Sequence, residues 1–517
     1  MILNIISIIL YSILYFVFEL QYNLSLLQVN GYNYFSYVKN KYKNSKLFLI
    51  NVAVIILLNI LFIFNISFKP FLLLFSIYYL TFGIFYIRKC LCNINRYICT
   101  KRIFKFYCFF ILFVLLSLTL YILSQTTNKY SNYFLLLTIN MWLLFVFVFV
   151  INCVFEYVLL KNNIKKARMK INKYNIKIIA ITGSFAKTSV KNILYRILLK
   201  KYNVVMTPKS YNTPNGICKA INETDLKNVD YLILEMGAKK KGEIKQLCRW
   251  FKPDVGVLTA IGLQHLDTFN NIETIFETKC ELQNNLNGNG LMVFNCYNEL
   301  VCRAKDLFNG EYVSAGVKQN VWYENYVFEN GISVFDLYIR GSSKKYKVET
   351  KLLGEHNAVN ICVSVALALK LNVDIEQIIT AIGELEQVES RLEISKLPNN
   401  VTVINNGYNS NPVTARCSLK VLEGYKNITR IVITPGFVEM GVMQYELNKE
   451  FGRQIAGVAN FVVVENEVNK KAITEGLIEG GIDKEKISYV NCFKDVEFTK
   501  FHNAVVLIEN DLPSSYK

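Results

Sequence analysis

The stretch KIIAITGSFAKTSVKNILYRILLKK, which begins at Lys177, fits few local structures. KIIAIT is a short β-branched apolar run, the pattern of a strand buried in a parallel sheet. Val190, Ile193, Leu194, Ile197 and Leu198 then recur at helical spacing. Strand, tight loop and helix in that order turn the free N–H groups and positive end of the helix toward the loop, a geometry that binds phosphate. Lys187 adds a charge for terminal phosphates, and the hydroxyl of Thr188 or Ser189 can reach Mg²⁺. Gly183 and Ser184 form the turn. Ala186 stands where a glycine usually precedes the lysine. Its methyl group is tolerable at negative φ and costs roughly 1 kcal/mol or more at positive φ.

The chain ahead of this unit is of another kind. Before Leu159 there are twelve Lys or Arg, two acids (Glu19 and Glu156) and no Asp, whereas the remainder carries 46 basic and 38 acidic side chains. Five apolar stretches fall there, at about 2–18, 47–66, 70–87, 104–123 and 133–153. Each approaches the roughly 17–25 residues that a helix needs to span hydrocarbon. The connections alternate in charge: Lys39, Lys41, Lys43 and Lys46 in the first, Arg88, Lys89, Arg96, Lys101, Arg102 and Lys105 in the third, but only Lys69 and Lys129 in the second and fourth. Excess positive charge stays in the cytoplasm. The expectation is therefore five transmembrane helices in a bacterial cell membrane, with the N-terminus outside and the whole C-terminal portion cytoplasmic.

That placement keeps the thirteen cysteines reduced. Cys90, Cys92 and Cys99 lack the paired CxxC spacing of a structural zinc site. Much of the net charge of +18 belongs to the membrane-flanking set, so the bilayer and its anionic headgroups are the expected partner, with no nucleic acid.

Further short strands follow, several closing on polar residues: YLILE ends in Glu235, GLMVFN in Asn295, and DVGVLTAIGLQHLDTF carries Thr259 and His265. Ligands of open parallel sheets bind beyond the carboxyl ends of the strands. Glu235 stands where a carboxylate could hold a nucleotide-bound magnesium.

The order of motifs from residue 178 onward resembles that of the Mur ligases, the ATP-dependent amide-bond-forming enzymes of cell-wall synthesis. It runs TGSFAKTS, TPKSYNTPNG, LEMGAKKKGEI, KPDVGVLTAIGLQHLDTF, TKCEL, LLGEHNAVN, ESRLE and NNGYNSNP. The branch that adds D-alanyl-D-alanine to a muramoyl tripeptide is the most similar. The resemblance implies ATP and Mg²⁺, with Lys187 and its loop (Gly183, Ser184, Ala186, Ser189) on the phosphates and Thr188, Glu235 and His265 on magnesium. It implies a carbamylated Lys279 beside the second metal, adenine contacts from Asn357 and Asn360, and Arg391 near the phosphates. Asn406 and Tyr408 would reach over the nucleotide from the last domain. Lys187, Lys279, His265 and Arg391 form the implied catalytic set.

Departures from the pattern are specific. Asn405 and Asn406 replace two aspartates, one of which contacts ribose in the family. Glu509, Asn510 and Asp511 stand where the dipeptide-adding branch has Lys-Gly-Ser-Arg, a reversal of charge that points to another substrate. The membrane segment takes the place of the domain that grips the muramoyl precursor, so the acid and amine substrates are expected to be small molecules or lipid-linked. The expected architecture is an all-α membrane domain (1–158), a basic linker (159–174), a P-loop α/β domain (175–388) and a Rossmann-like α/β domain (389–517). The alternative is a non-catalytic nucleotide-binding scaffold of a cell-envelope complex.

Overall fold

The computed structural model describes residues 141–512, apart from 330 and 409, with isolated positions at 24 and between 103 and 112. Its contacts divide the chain into one unit of residues 1–159 with 513–516 and another of residues 160–512. In the first unit Lys105 and Glu156 form an ion pair at 3.2 Å. The first four apolar stretches lie outside the described residues save for isolated positions. The fifth is described from residue 141, where it opens helix Met141–Tyr174. Among the described residues no helix is long and apolar enough to cross a membrane.

The basic linker expected at 159–174 is the second half of that helix. Ile164, Ala167 and Ile171, three and four residues apart, form one apolar face and pack with Ile178, Ile217, Ile221 and Phe251. Lys170 Nζ donates to the carbonyls of Ile221 and Asn222, each at 3.2 Å, and of Thr224. These carbonyls end helix Pro214–Glu223 and have no donor within it. A residue that reads as membrane-flanking charge thus serves as a helix cap.

The first sheet comprises β1 (Lys177–Thr182), β2 (Val204–Met206), β3 (Tyr231–Glu235), β4 (Val255–Leu258), β5 (Leu291–Asn295), β6 (Tyr312–Ala315), β7 (Val321–Glu329), β8 (Ile332–Ile339) and β9 (Lys345–Thr350). Their order is β2-β3-β1-β4-β5-β6-β7-β8-β9. Pairings through β6 are parallel, and β7-β8-β9 close the edge as an antiparallel meander. Successive strand residues alternate between two cores: Ile179, Ile181 and Ile233 join helices Lys187–Leu198 and Glu355–Lys370, whereas Ile178, Ala180 and Leu232 face the other layer. Both faces are covered, which explains unbroken apolar runs where a half-exposed sheet would alternate.

The second sheet comprises β10 (Glu393–Leu397), β11 (Val401–Asn406), β12 (Thr429–Thr434), β13 (Phe461–Glu465), β14 (Ile487–Val490) and β15 (Ala504–Glu509). Its order is β10-β11-β15-β12-β13-β14, parallel except for β10 against β11. RIVIT, FVVVE and AVVLIE are three of its strands. Helix Pro412–Glu423 follows β11 with Asn411 as its cap, which accepts from Val413 N and Thr414 N while the Thr414 hydroxyl accepts from Asn411 N. Between the sheets, after helix Ile375–Gly383, Ser390 (φ 57°) and Leu392 (φ 54°) are both left-handed.

Candidate active site

β1, β3 and β4 end level with one another, Ile181 lying opposite both Glu235 and Val257, and the loop after β1 crosses above them. Gly183 is required there. Its φ is 153°, and a Cβ would lie 2.2 Å from Thr259 Oγ1 and 2.9 Å from the Ala260 carbonyl oxygen. Ser184 ties the loop to the neighbouring one, donating to Gly262 O at 3.0 Å and accepting from Gly262 N at 3.2 Å. Ala186 has φ 66° and provides no side-chain cap, so the methyl group sits in the costly backbone region. The first intrahelical bond is Val190 N to Ala186 O, 2.9 Å, which leaves the N–H groups of Lys187, Thr188 and Ser189 without helical acceptors.

Lys187 folds back on this loop, with Nζ donating to Gly183 O at 2.9 Å and Ser184 O at 3.1 Å. Burial holds its ammonium below the usual lysine range, against the pull of Glu235, and the Arg391 charge adds to the depression. Glu235 is 1% exposed. Its Oε2 accepts from Thr188 Oγ1 at 2.8 Å and lies 3.3 Å from Lys191 Nζ, and its Oε1 accepts from Asn212 Nδ2 at 3.1 Å. Burial pushes this carboxyl up, but Lys187, Lys191 and the two hydrogen bonds outweigh it and hold it below the ordinary range.

One pocket gathers most of the expected residues. Ser184, Ala186, Lys187, Thr188, Ser189 and Glu235 form one side, and Asn357 and Asn360 open a second from helix Glu355–Lys370. Arg391, Asn406 and Tyr408 close it from the second sheet's side. Asn357 Nδ2 donates to Leu353 O at 2.8 Å and its Oδ1 accepts from Asn360 Nδ2 at 3.1 Å, so Asn360 Oδ1 is left as an acceptor. The Arg391 guanidinium carbon stands 4.7 Å from the Tyr408 ring centre, a cation–π stack. His356, unassigned from the sequence, also lines the pocket, and its buried Nδ1 has no hydrogen-bond partner among the described residues. Burial, with Arg391 nearby, pushes His356 down to about 4, so its ring is neutral.

Three expected residues do not line this pocket: Gly183, which underlies the loop, His265 and Lys279. His265 is left-handed (φ 51°), and its Nδ1 pairs with Glu439 Oε2, whose other oxygen lies 3.5 Å from Lys239 Nζ. The imidazole is thereby committed to a carboxylate from the loop after β12. Lys279, in helix Ile272–Cys280, reads as an exposed helical lysine but is 3% exposed, with Nζ 5.8 Å from the Phe269 ring centre. Burial pushes it down to about 7, the Lys187 charge adds to this, and Glu243 and Glu281 oppose it. Glu509 is likewise not a surface charge: it is fully buried beside Asn406, and so does not face a substrate.

Lys191 and Glu439 were not found from the sequence. Thr188 and Lys191 are three residues apart on one helix and face the same carboxylate, a spacing that could have singled out Lys191. Glu439 lies 174 residues from His265, and no local pattern announces it.

Residues 181–368 match the Mur ligase middle domain. The UDP-N-acetylmuramoyl-tripeptide–D-alanyl-D-alanine ligase of Bacillus subtilis is 26% identical over 304 residues, 56% of this chain and 62% of that protein. The enzyme of the same name from Mycobacterium tuberculosis is 30% identical over 257 residues, 47% of this chain and 48% of that protein. The chain thus spans less than two thirds of the length of these relatives. A crystal structure of MurF ligase from Thermotoga maritima in complex with ADP superposes with a TM-score of 0.59 at 24% identity, covering 68% of this chain and 80% of that one. MurF from Acinetobacter baumannii gives 0.59 at 22% identity, covering 67% and 75%. These two likenesses concern the fold. Residues 181–368 thus carry a Mur ligase middle domain, and the relatives named here are ligases.

Proposed function

We propose that this chain is an ATP-dependent ligase that joins a carboxylic acid to an amine through an acyl phosphate, in cell-wall or surface-polymer synthesis. Addition of D-alanyl-D-alanine to a muramoyl tripeptide is the specific form of the reaction carried by its relatives' names. The observation that carries the reading is the single pocket in which a phosphate loop, a hydrogen-bonded carboxylate and side chains from both sheets meet. Attachment to the cytoplasmic face of a membrane through residues 1–158 is part of the proposal. It rests on the five apolar stretches and their charge alternation.

Each group has a task in such a reaction. The free N–H groups at the start of helix Lys187–Leu198 face the phosphates, and Lys187 exchanges two loop carbonyls for phosphate oxygens. The Thr188 hydroxyl and Glu235 carboxylate are paired oxygen donors, a set that suits Mg²⁺ and would hold it. When bound, that ion neutralises phosphate charge. The substrate carboxylate attacks the γ-phosphorus, ADP leaves, and the amine then displaces phosphate from the acyl carbon. Arg391, stacked on Tyr408, brings positive charge from the second sheet's side. The His265–Glu439 pair holds the loop after β12 against the first sheet's loops, which favours exclusion of water from a hydrolysable acyl phosphate. Lys279, pushed down to about 7, has the neutral amine that reaction with CO₂ requires, which supports carbamylation there.

The test is phosphate release from ATP by the full chain in detergent with Mg²⁺, screened against acid and amine pairs. Turnover that depends on both substrates and disappears in Lys187→Ala is the expected result. A protein that binds no ATP by calorimetry would refute the reading and favour the scaffold.

A further inference from the structure

Lys191 is a buried cation to which the proposed reaction gives no task. It lies on helix Lys187–Leu198, about one turn beyond Lys187, and is 1% exposed, so it sits behind the pocket wall and does not line it. Its Nζ has two acceptors. One is Glu235 Oε2 at 3.3 Å, and the other is the carbonyl of Lys209, a residue held left-handed at φ 46°. The Thr188 hydroxyl donates to the same Oε2, which fills both lone pairs of that oxygen, and Asn212 fills one on Oε1.

The charge around Glu235 bears on how a divalent cation can reach it. Among the described residues Glu235 is the only acid that lines the pocket, while Lys187 and Arg391 line it as cations and Lys191 stands behind. One carboxylate thus faces three positive charges. Among the described residues no group of three His, Cys, Asp or Glu side chains could hold a metal ion. A bare dication therefore meets net positive charge and a single carboxylate that is already paired. A nucleoside triphosphate changes this balance, because its phosphates neutralise Lys187 and Arg391 and bring their own oxygens to the metal. Lys191 can then yield Glu235 without losing every partner, since the Lys209 carbonyl remains.

We infer that Lys191 is a positioning residue that occupies Glu235 in the empty site, so that this carboxylate takes a divalent cation only together with a nucleotide. The inference rests on the nucleotide-binding reading above, with Thr188 and Glu235 as the magnesium donors.

The probe is Mn²⁺, whose free ion gives a paramagnetic resonance signal that is lost on binding. The full chain in detergent and bicarbonate-free buffer is titrated with Mn²⁺ alone, and with Mn²⁺ and the β,γ-imido analogue of ATP. Wild type, Lys191→Met, Lys191→Gln, Glu235→Gln and the double variant Lys191→Met with Glu235→Gln are compared. Lys191→Gln keeps a donor for the Lys209 carbonyl, which separates the charge from the hydrogen bond. Even at the dielectric constant of water, a unit charge about 5 Å from a dication alters its affinity by more than about tenfold. Without nucleotide, wild type should bind no more Mn²⁺ than Glu235→Gln does. Lys191→Met and Lys191→Gln should each bind it at least about tenfold more tightly, and the double variant should lose that gain. A purely structural lysine predicts the opposite, since a loosened site holds metal less well. With the analogue present, wild type should hold the Mn²⁺ complex more tightly than Glu235→Gln.

An affinity for Mn²⁺ alone that both Lys191 variants leave unchanged or weaken overturns the inference, as does a gain that survives in the double variant. Should neither Lys191 variant fold, wild type decides the matter: Mn²⁺ bound through Glu235 as tightly without the analogue as with it overturns the inference. In each of these cases binding of the analogue by wild type leaves the nucleotide reading standing. A wild type that binds no analogue takes both down together.

Discussion

Replacing Lys191 by Met tests whether the floor of the pocket is held by charge. Lys191 Nζ lies 3.3 Å from Glu235 Oε2, with side chains 1% and 2% exposed. At that distance two unit charges attract by about 5 kcal/mol at an effective dielectric constant of about 20. Removing the lysine relieves its own desolvation, several kcal/mol in the opposite direction. Glu235 meanwhile keeps Thr188, Asn212 and the charge of Lys187. Breaking a buried pair from one side costs roughly 3–5 kcal/mol, and the retained partners place this case near about 3 kcal/mol. Methionine nearly matches lysine in length, so little cavity cost is added. The assay is urea unfolding of the full chain in magnesium-free buffer, followed by the fluorescence of its three tryptophans, Trp142, Trp250 and Trp322. Glu235→Gln and the double variant complete a cycle. The double variant should recover much of the loss, with a coupling of at least about 2 kcal/mol. A single-variant cost below about 1 kcal/mol, or strictly additive losses, would refute the argument.

Ala186→Gly relieves about 1–2 kcal/mol of left-handed strain and adds about 0.4–1 kcal/mol of unfolded-state entropy cost, so it should stabilise by about 0.5 kcal/mol. A loss above about 1 kcal/mol in the same urea titration would show that the methyl group's packing dominates. Burial pushes the Glu509 carboxyl up from 4.5 to about 6. The folded state therefore binds this proton more tightly, and its contribution is full below the unfolded value and lost as pH rises through about 6. That contribution is about 2 kcal/mol, so Glu509→Gln should flatten the stability profile between pH 4.5 and 6.5, and an unchanged slope would contradict the burial account. With ¹³C-bicarbonate, a carbamate resonance absent from Lys279→Met should grow as pH passes about 7, tracking the neutral amine. No resonance at pH 8 would count against carbamylation. Glu439, whose carboxylate the His265 bond holds down at about 2 against burial, ties two distant loops, and Glu439→Gln should speed proteolysis near Ser390 and Leu392 severalfold. Equal cleavage rates would mean that the tie does not restrain the junction.

Most of the central architecture was legible because both faces of its strands are covered. KIIAIT, YLILE and LMVFN show as apolar runs that end in polar residues, and the loop before Lys187 carries its own signature. The ordered motifs pointed to residues that the pocket gathers from both sheets, Arg391 and Asn406 among them. What stayed hidden was set by distant partners. Lys279 reads as exposed because its helix gives no hint of the surroundings that bury it. Glu509 reads as a charge at a strand end, and only its serines from another helix turn reveal it as buried. The linker's lysines look like membrane-flanking charge, and Lys170 is a cap because the carbonyls it meets belong to a helix about fifty residues away.

Asn406 Nδ2 donates to both oxygens of the buried Glu509, which also meets the hydroxyls of Ser410 and Ser418, so a replacement at one of these positions is felt at the others. In the related pattern a carboxylate stands at the position of Asn406 and a cation stands near that of Glu509. Single steps between the two arrangements are obstructed. Asp at 406 alone would press two carboxylates together, and Lys at 509 alone would bury a cation against the amide that now donates to Glu509. Either intermediate loses several kcal/mol, a large part of what a domain has to spare. Positions 406 and 509 are thus coupled: a charge change at either one alone leaves a buried mismatch at the other.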